Sequence, residues 1–150
     1  MVKILNFMII SFLGSCKQEK KDTKIQKEIS EKSNIEKRIG KKLDLPSYAQ
    51  VVAAINVASA PEDYVLTAAG GLPGELNNNW LSKSLDSFDC EYGYSCMGYA
   101  IAGGLGVKMA RPEKECIVFV GDGSYMMANS ELATSLVLGH KLIVVIQDNR

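Results

Sequence analysis

Two apolar runs, residues 116–120 and 142–146, constrain this chain more than anything else in it. Neither alternates apolar with polar positions. Such runs suit parallel strands covered on both faces. Between them, residues 125–138 read as one helix. Further upstream, Tyr48–Ala58 carries Val51, Val52 and Ile55 at helical spacing. Residues 64–67 read as a strand, and residues 88–92 as a short one. Residues 97–110 form a helix of small residues, in which Ala100, Gly103, Gly104 and Gly106 let it approach a sheet closely. The expected fold class is α/β, a parallel sheet sandwiched by helices.

The first run leads directly into Gly121-Asp122-Gly123. Two glycines around one acid let the backbone approach an anion with no Cβ in the way. Ser124 is expected to open the next helix, whose free N–H groups favour negative charge. After twenty-four more residues the second run ends at Asp148-Asn149. Parallel neighbours would bring Asp122 and Asn149 to one carboxyl edge, where such sheets bind ligands. Their oxygens, together with phosphate, suit Mg²⁺. Taken alone, Gly-Asp-Gly is equally a tight turn. The second site at the correct strand end makes the pattern specific.

This arrangement resembles the thiamine diphosphate-dependent enzymes. Three segments carry the likeness: Thr67-Ala-Ala-Gly-Gly-Leu-Pro-Gly-Glu-Leu-Asn77, Glu91-Tyr-Gly-Tyr-Ser-Cys-Met-Gly-Tyr99, and Gly121-Asp-Gly-Ser-Tyr-Met-Met127 with Asn129-Ser-Glu-Leu132. They are similar to the branch that hydrolyses trihydroxycyclohexane-1,2-dione in myo-inositol catabolism. Ala100 stands where that branch often has an acid. The likeness runs from about Leu45 to Arg150 and covers the first part of the diphosphate-binding domain. It implies thiamine diphosphate and Mg²⁺ as cofactors, with Asp122 and Asn149 as metal ligands. It implies cofactor contacts at Gly71, Leu72, Ser95, Met97, Gly121, Asp122, Gly123, Ser124 and Asn149. Met97 would wedge beneath the bent cofactor, and a carbonyl near Ser95 would accept from its aminopyrimidine. A third metal ligand and the activating glutamate would lie outside these 150 residues, the latter on another domain. The implied activity is C–C bond hydrolysis of a small cyclic dione, in a cytoplasmic homo-oligomer. The alternatives are another lyase of the family, similar to acetolactate synthase, or a non-catalytic membrane-anchored remnant. Locally, Gly70-Gly71 also reads as a glycine turn, and Met97 as core filling.

Charge and cysteines narrow the classes. The chain is neutral overall, but residues 17–44 carry +4 and residues 45–150 carry −5. Neither value suggests a nucleic-acid surface. Cys16, Cys90, Cys96 and Cys116 form no CxxC pair, which argues against zinc. Cys90, Cys96 and Cys116 are expected as reduced core thiols. Residues 1–16 begin with a basic start, continue with a short apolar run and end at Leu13-Gly-Ser-Cys16. They read either as a lipoprotein signal lipidated at Cys16 or as a misassigned start. Residues 17–44, rich in Lys and Glu, read as a charged helix or linker. Residues 45–150 form the partial cofactor-binding domain. His140 is expected to close a helix, Glu131 to sit on a surface, and Trp80 to pack. Glu75 and residues 77–79 would lie in an exposed loop or face substrate.

Overall fold

The computed structural model describes residues 8–11, 46–68, 70–94 and 96–148. The expected charged segment 17–44, Cys16, Ser95 and Asn149 lie outside the described residues, as does the expected signal or start at 1–16 apart from 8–11. The elements run β1 (Met8–Ser11), α1 (Tyr48–Ala58), β2 (Tyr64–Ala68), α2 (Gly71–Asn79), β3 (Phe88–Glu91), α3 (Tyr99–Ala110), β4 (Cys116–Gly121), α4 (Asp122–Ala128), α5 (Ser130–Val137) and β5 (Ile143–Gln147). They fall into two compact units. One holds all five strands, the start of α2, and α3 to α5; the other holds α1 and the end of α2.

The five strands form one sheet in the order β1-β5-β4-β2-β3. The pairs β2–β3, β2–β4 and β4–β5 are parallel, as expected from the unbroken apolar runs. β1, from the apolar run expected as a signal, pairs antiparallel with β5, Met8 opposite Ile146. Both faces of the central strands are buried. Leu66, Val118 and Val144 point one way; Val65, Ile117, Phe119 and Val145 point the other.

α3 covers the first of these faces. Its buried positions Ala100, Ile101, Gly104, Leu105 and Lys108 follow helical spacing and pack with Leu66, Val118, Val120 and Val144. The approach is close because Gly104 has no side chain: a Cβ there would collide with Val118 Cγ2. At Gly103 a Cβ would lie 3.3 Å from Leu66 Cδ2. Gly106, on the exposed side, would meet nothing within 4 Å. Lys108 is buried yet satisfied, since its ammonium donates to the Lys114 carbonyl. Nearby, burial pushes the Cys116 thiol up to about 12, against the lowering effect of the Lys108 charge.

Three expectations need correction. The helix expected over 125–138 is two helices. α4 starts at Asp122, directly after β4, so Ser124 lies inside it rather than opening it. The two separate at Asn129, whose carbonyl accepts from the Leu132 N–H at 3.1 Å in a tighter i→i+3 bond. The stretch expected as a glycine turn and loop holds a helix, α2. Its Leu72 and Leu76 are buried four residues apart, and the Asn79 amide donates to the Glu75 carbonyl and carboxylate. Glu75 and Asn79 are thereby occupied with each other. Cys96 is exposed rather than in the core, while Cys116 is buried and Cys90 half-buried.

Two helix ends follow ordinary capping rules. Ser47 and Gln50 exchange side-chain bonds at the start of α1 in a capping box. The turn after α5 is made at Gly139, φ +73°, with Gly139 N–H donating to Leu136 O and His140 N–H to Ser135 O. This is the Schellman pattern. It gives His140 the helix-closing position expected of it.

Two expected outcomes follow. Gly104→Ala should destabilise the protein by about 1–3 kcal/mol through overpacking, whereas Gly106→Ala should be neutral or stabilise by about 0.5–1 kcal/mol. Thermal unfolding of both variants checks the pair. The raised Cys116 value means that the folded state holds its proton where the unfolded chain has lost it. That contribution is complete below the ordinary thiol value of 9.0 and is lost as pH rises toward 12. Denaturant titrations from pH 8 to 11 should therefore show stability falling less steeply in Cys116→Ala than in the unmodified chain.

Candidate functional site

The sheet order fixes where a ligand can sit. From β2 the chain moves outward to β3 through α2, then returns over β2 along α3 to enter β4 on the other side. The direction of winding reverses between β2 and β4. The loops leaving these strands diverge and leave a crevice at their carboxyl ends. A cleft of about 240 Å³ lies there, lined by Thr67, Ala68, Gly70, Leu72, Met97, Ala100, residues 119–124 and Gln147. Pockets that bury a whole drug-sized ligand run to about 300–1,000 Å³, so this cleft takes one end of such a ligand.

Six expected site residues meet in it: Leu72, Met97, Gly121, Asp122, Gly123 and Ser124. Gly71 is the first residue of α2, between two lining residues, Gly70 and Leu72. Gly121 has φ −73° and ψ 158°, a conformation open to any residue. A Cβ on it would meet nothing within 4 Å. Neither backbone freedom nor packing therefore accounts for this glycine; its missing side chain leaves room in the cleft. Asp122 follows as the first helical residue, half-buried. No hydrogen bond or ion pair holds its carboxylate among the described residues, which leaves its oxygens available to a cation. Among the described residues no three His, Cys, Asp or Glu gather into a metal site. A cation here would need ligands from phosphate as well, the situation typical of Mg²⁺.

Met97 is not core filling. It is 49% exposed, and its Cε lies 3.4 Å from where a Cβ on Gly123 would stand. It projects over the Gly-Asp-Gly turn. Four bonds hold it there. The buried Ser124 hydroxyl accepts from the Gly98 N–H at 2.7 Å. The Glu91 carboxylate accepts from the N–H groups of Tyr94 and Cys96, each at 2.8 Å. Tyr99 donates its hydroxyl to Asp89 at 3.1 Å. Gly98 has φ +91°, and a Cβ there would also press on Ala128 Cβ at 3.2 Å, so only glycine fits. The Ser124 side chain thus fastens the Met97 loop to α4 as well as lining the cleft.

Two contributors escape a reading by sequence. Glu91 organises the loop from the end of β3. Gln147 lines the cleft from the end of β5, opposite Gly121 in the ladder. A glutamine closing an apolar strand was the available signal for the second. His140 lies away from the cleft, beside a small hollow with Leu132, Leu136 and Lys141.

The geometry agrees with the comparisons. Residues 68–150 match the model of the thiamine pyrophosphate enzyme C-terminal TPP-binding domain. The chain belongs to that family, and the matched residues include all those that line the cleft except Thr67. Within the family, it is 46% identical over 99 residues to a protein of Geobacillus thermodenitrificans named 3D-(3,5/4)-trihydroxycyclohexane-1,2-dione hydrolase. It is 48% identical over 99 residues to proteins of that name in Bacillus thuringiensis and Bacillus anthracis. Each match covers 66% of this chain but only 15–16% of the relative.

Removing the Ser124 hydroxyl should strand a buried Gly98 N–H, so Ser124→Ala is expected to cost about 1–3 kcal/mol in chemical denaturation. Gly121→Ala should behave in the opposite way. It should fold with unchanged or slightly higher stability, yet bind thiamine diphosphate with Mg²⁺ about tenfold more weakly, ~1.4 kcal/mol by calorimetry.

Proposed function

We propose that this chain forms the diphosphate- and Mg²⁺-binding edge of a thiamine diphosphate-dependent hydrolase that opens a cyclic 1,2-dione. The observation that carries this reading is the meeting of an unpaired Asp122 carboxylate, the open space at Gly121 and the exposed Met97 in one cleft at the strand reversal. The residues present suit the group: an acid, glycine backbone and a soft apolar wedge, all lining the cleft. Asp122, together with Asn149, would hold Mg²⁺, and the backbone around Gly71, Leu72, Gly121 and Gly123 would meet phosphate oxygens. Met97 would support the cofactor's rings from below. When bound, thiamine diphosphate supplies an electron sink that allows a bond beside a carbonyl to break. The chain's own part is to bind and orient. Fixing the reactive end against substrate lowers the entropic cost of reaction.

The names of the relatives support trihydroxycyclohexane-1,2-dione as substrate. Exposed Met126, Met127, Val137 and Leu138 on α4, α5 and the turn after α5 support assembly with a second copy. The free thiols of Cys90, Cys96 and Cys116 suit a reducing compartment, the cytoplasm.

Calorimetric titration of thiamine diphosphate with Mg²⁺ tests the reading. Saturable binding that weakens at least about a hundredfold in Asp122→Ala, ~2.7 kcal/mol, is the expected result. Equal affinity in the variant would remove Asp122 from the metal site. For the substrate, loss of trihydroxycyclohexane-1,2-dione should follow incubation with the chain in its complete enzyme. Condensation of pyruvate without dione cleavage would instead point to a lyase similar to acetolactate synthase.

A further inference from the structure

Gln147 is the unexplained residue of the cleft. It ends β5, is 93% buried, and its Oε1 is shut away from solvent with no hydrogen-bond partner among the described residues. Buried polar side-chain atoms are nearly always bonded, and exceptions concentrate where a ligand or water completes them. Among the described residues, its surroundings do not supply a partner. Its ladder neighbour is Gly121, which has no side chain, and the nearby Val145 and Phe119 on the same face are apolar. The space beside it, where a Gly121 side chain would stand, is open. An amide offers an acceptor and two donors at once. A partner for it must combine donor and acceptor within a small volume, next to the Asp122 carboxylate. A hydrated divalent cation on a diphosphate has this composition: phosphate oxygens accept, and cation-bound water donates.

We propose that Gln147 is a further binding residue of this site. Its amide, turned about its last side-chain bond toward the cleft, bonds to the hydrated metal–diphosphate end of the ligand, Oε1 accepting from water and Nε2 donating to a phosphate oxygen. The inference rests on the cofactor reading given above. It separates from a purely structural role by the sign of one quantity. An amide that waits for a ligand costs the empty protein stability, whereas an amide that serves the fold contributes to it.

The test uses the whole chain, with thiamine diphosphate plus Mg²⁺ as the probe, and compares wild type, Gln147→Leu and Gln147→Glu. Each is measured by calorimetric titration and by thermal unfolding of the empty protein. The expected result is that Gln147→Leu melts at the same or a higher temperature than wild type without ligand, yet binds about tenfold more weakly, ~1.4 kcal/mol. Gln147→Glu should bind more weakly still, because its carboxylate faces phosphate. A lower melting temperature for Gln147→Leu with undiminished affinity would overturn the proposal and make Gln147 a structural residue. Undiminished affinity in both variants would overturn it as well, while leaving the cofactor reading intact. Absence of binding by wild type would overturn the cofactor reading, and with it this role for Gln147.

Discussion

The contact of α3 with β4 at Gly104 is the constraint on which the site depends. α3 carries the chain back across β2, and it can lie flat on the sheet only because Val118 meets no side chain there. A larger residue would lift the helix. The helix begins at Gly98 and Tyr99, so its height over the sheet also sets the height of Met97 and of the loop that Glu91 and Ser124 hold. Interiors are packed too densely to absorb such a shift locally. The packing of an apolar core and the placement of a ligand-facing methionine are therefore parts of one geometrical problem, solved by one missing methyl group.

The class of fold was legible because burial on both faces removes alternation from a strand. Residues 116–120 and 142–146 show this, and both proved to be parallel strands, with bounds shifted by one residue. The glycine-rich helix α3 was legible for the reason just given. What stayed hidden depended on tertiary context. α2 contains Gly, Pro and three Asn, all poor helix formers, and burial of Leu72 and Leu76 overrides their propensity. The separation of α4 from α5 at Asn129 turns on one hydrogen bond of altered register, which leaves no trace in apolar spacing. β1 lies in an apolar run that reads as readily as a targeting segment.

The site was partly legible for a different reason. Gly-Asp-Gly after a strand is a local pattern, so its place at the carboxyl edge follows from strand direction alone. The partners of those residues are not local. Ser124 reaches Gly98 across twenty-six positions, and Gln147 meets the space left by Gly121 only through ladder register. A sequence gives the residue types that such contacts need. It does not say which hydroxyl is already engaged by the protein and which amide is left waiting. The distinction matters here, because Ser124 and Gln147 line the same cleft with opposite degrees of satisfaction.

The bond between Ser124 and Gly98 has a kinetic consequence. It joins the loop leaving β3 to the helix that follows β4 through the protein's own atoms, and it does so from a buried position. The walls therefore do not have to be gathered by the incoming molecule. Ordering costs that would otherwise be charged to association are met during folding. Capture should then be governed by diffusion and by the orientation of an anionic end, rather than by a slow rearrangement of the protein. Release should be governed by how many contacts are broken, not by the opening of a wall.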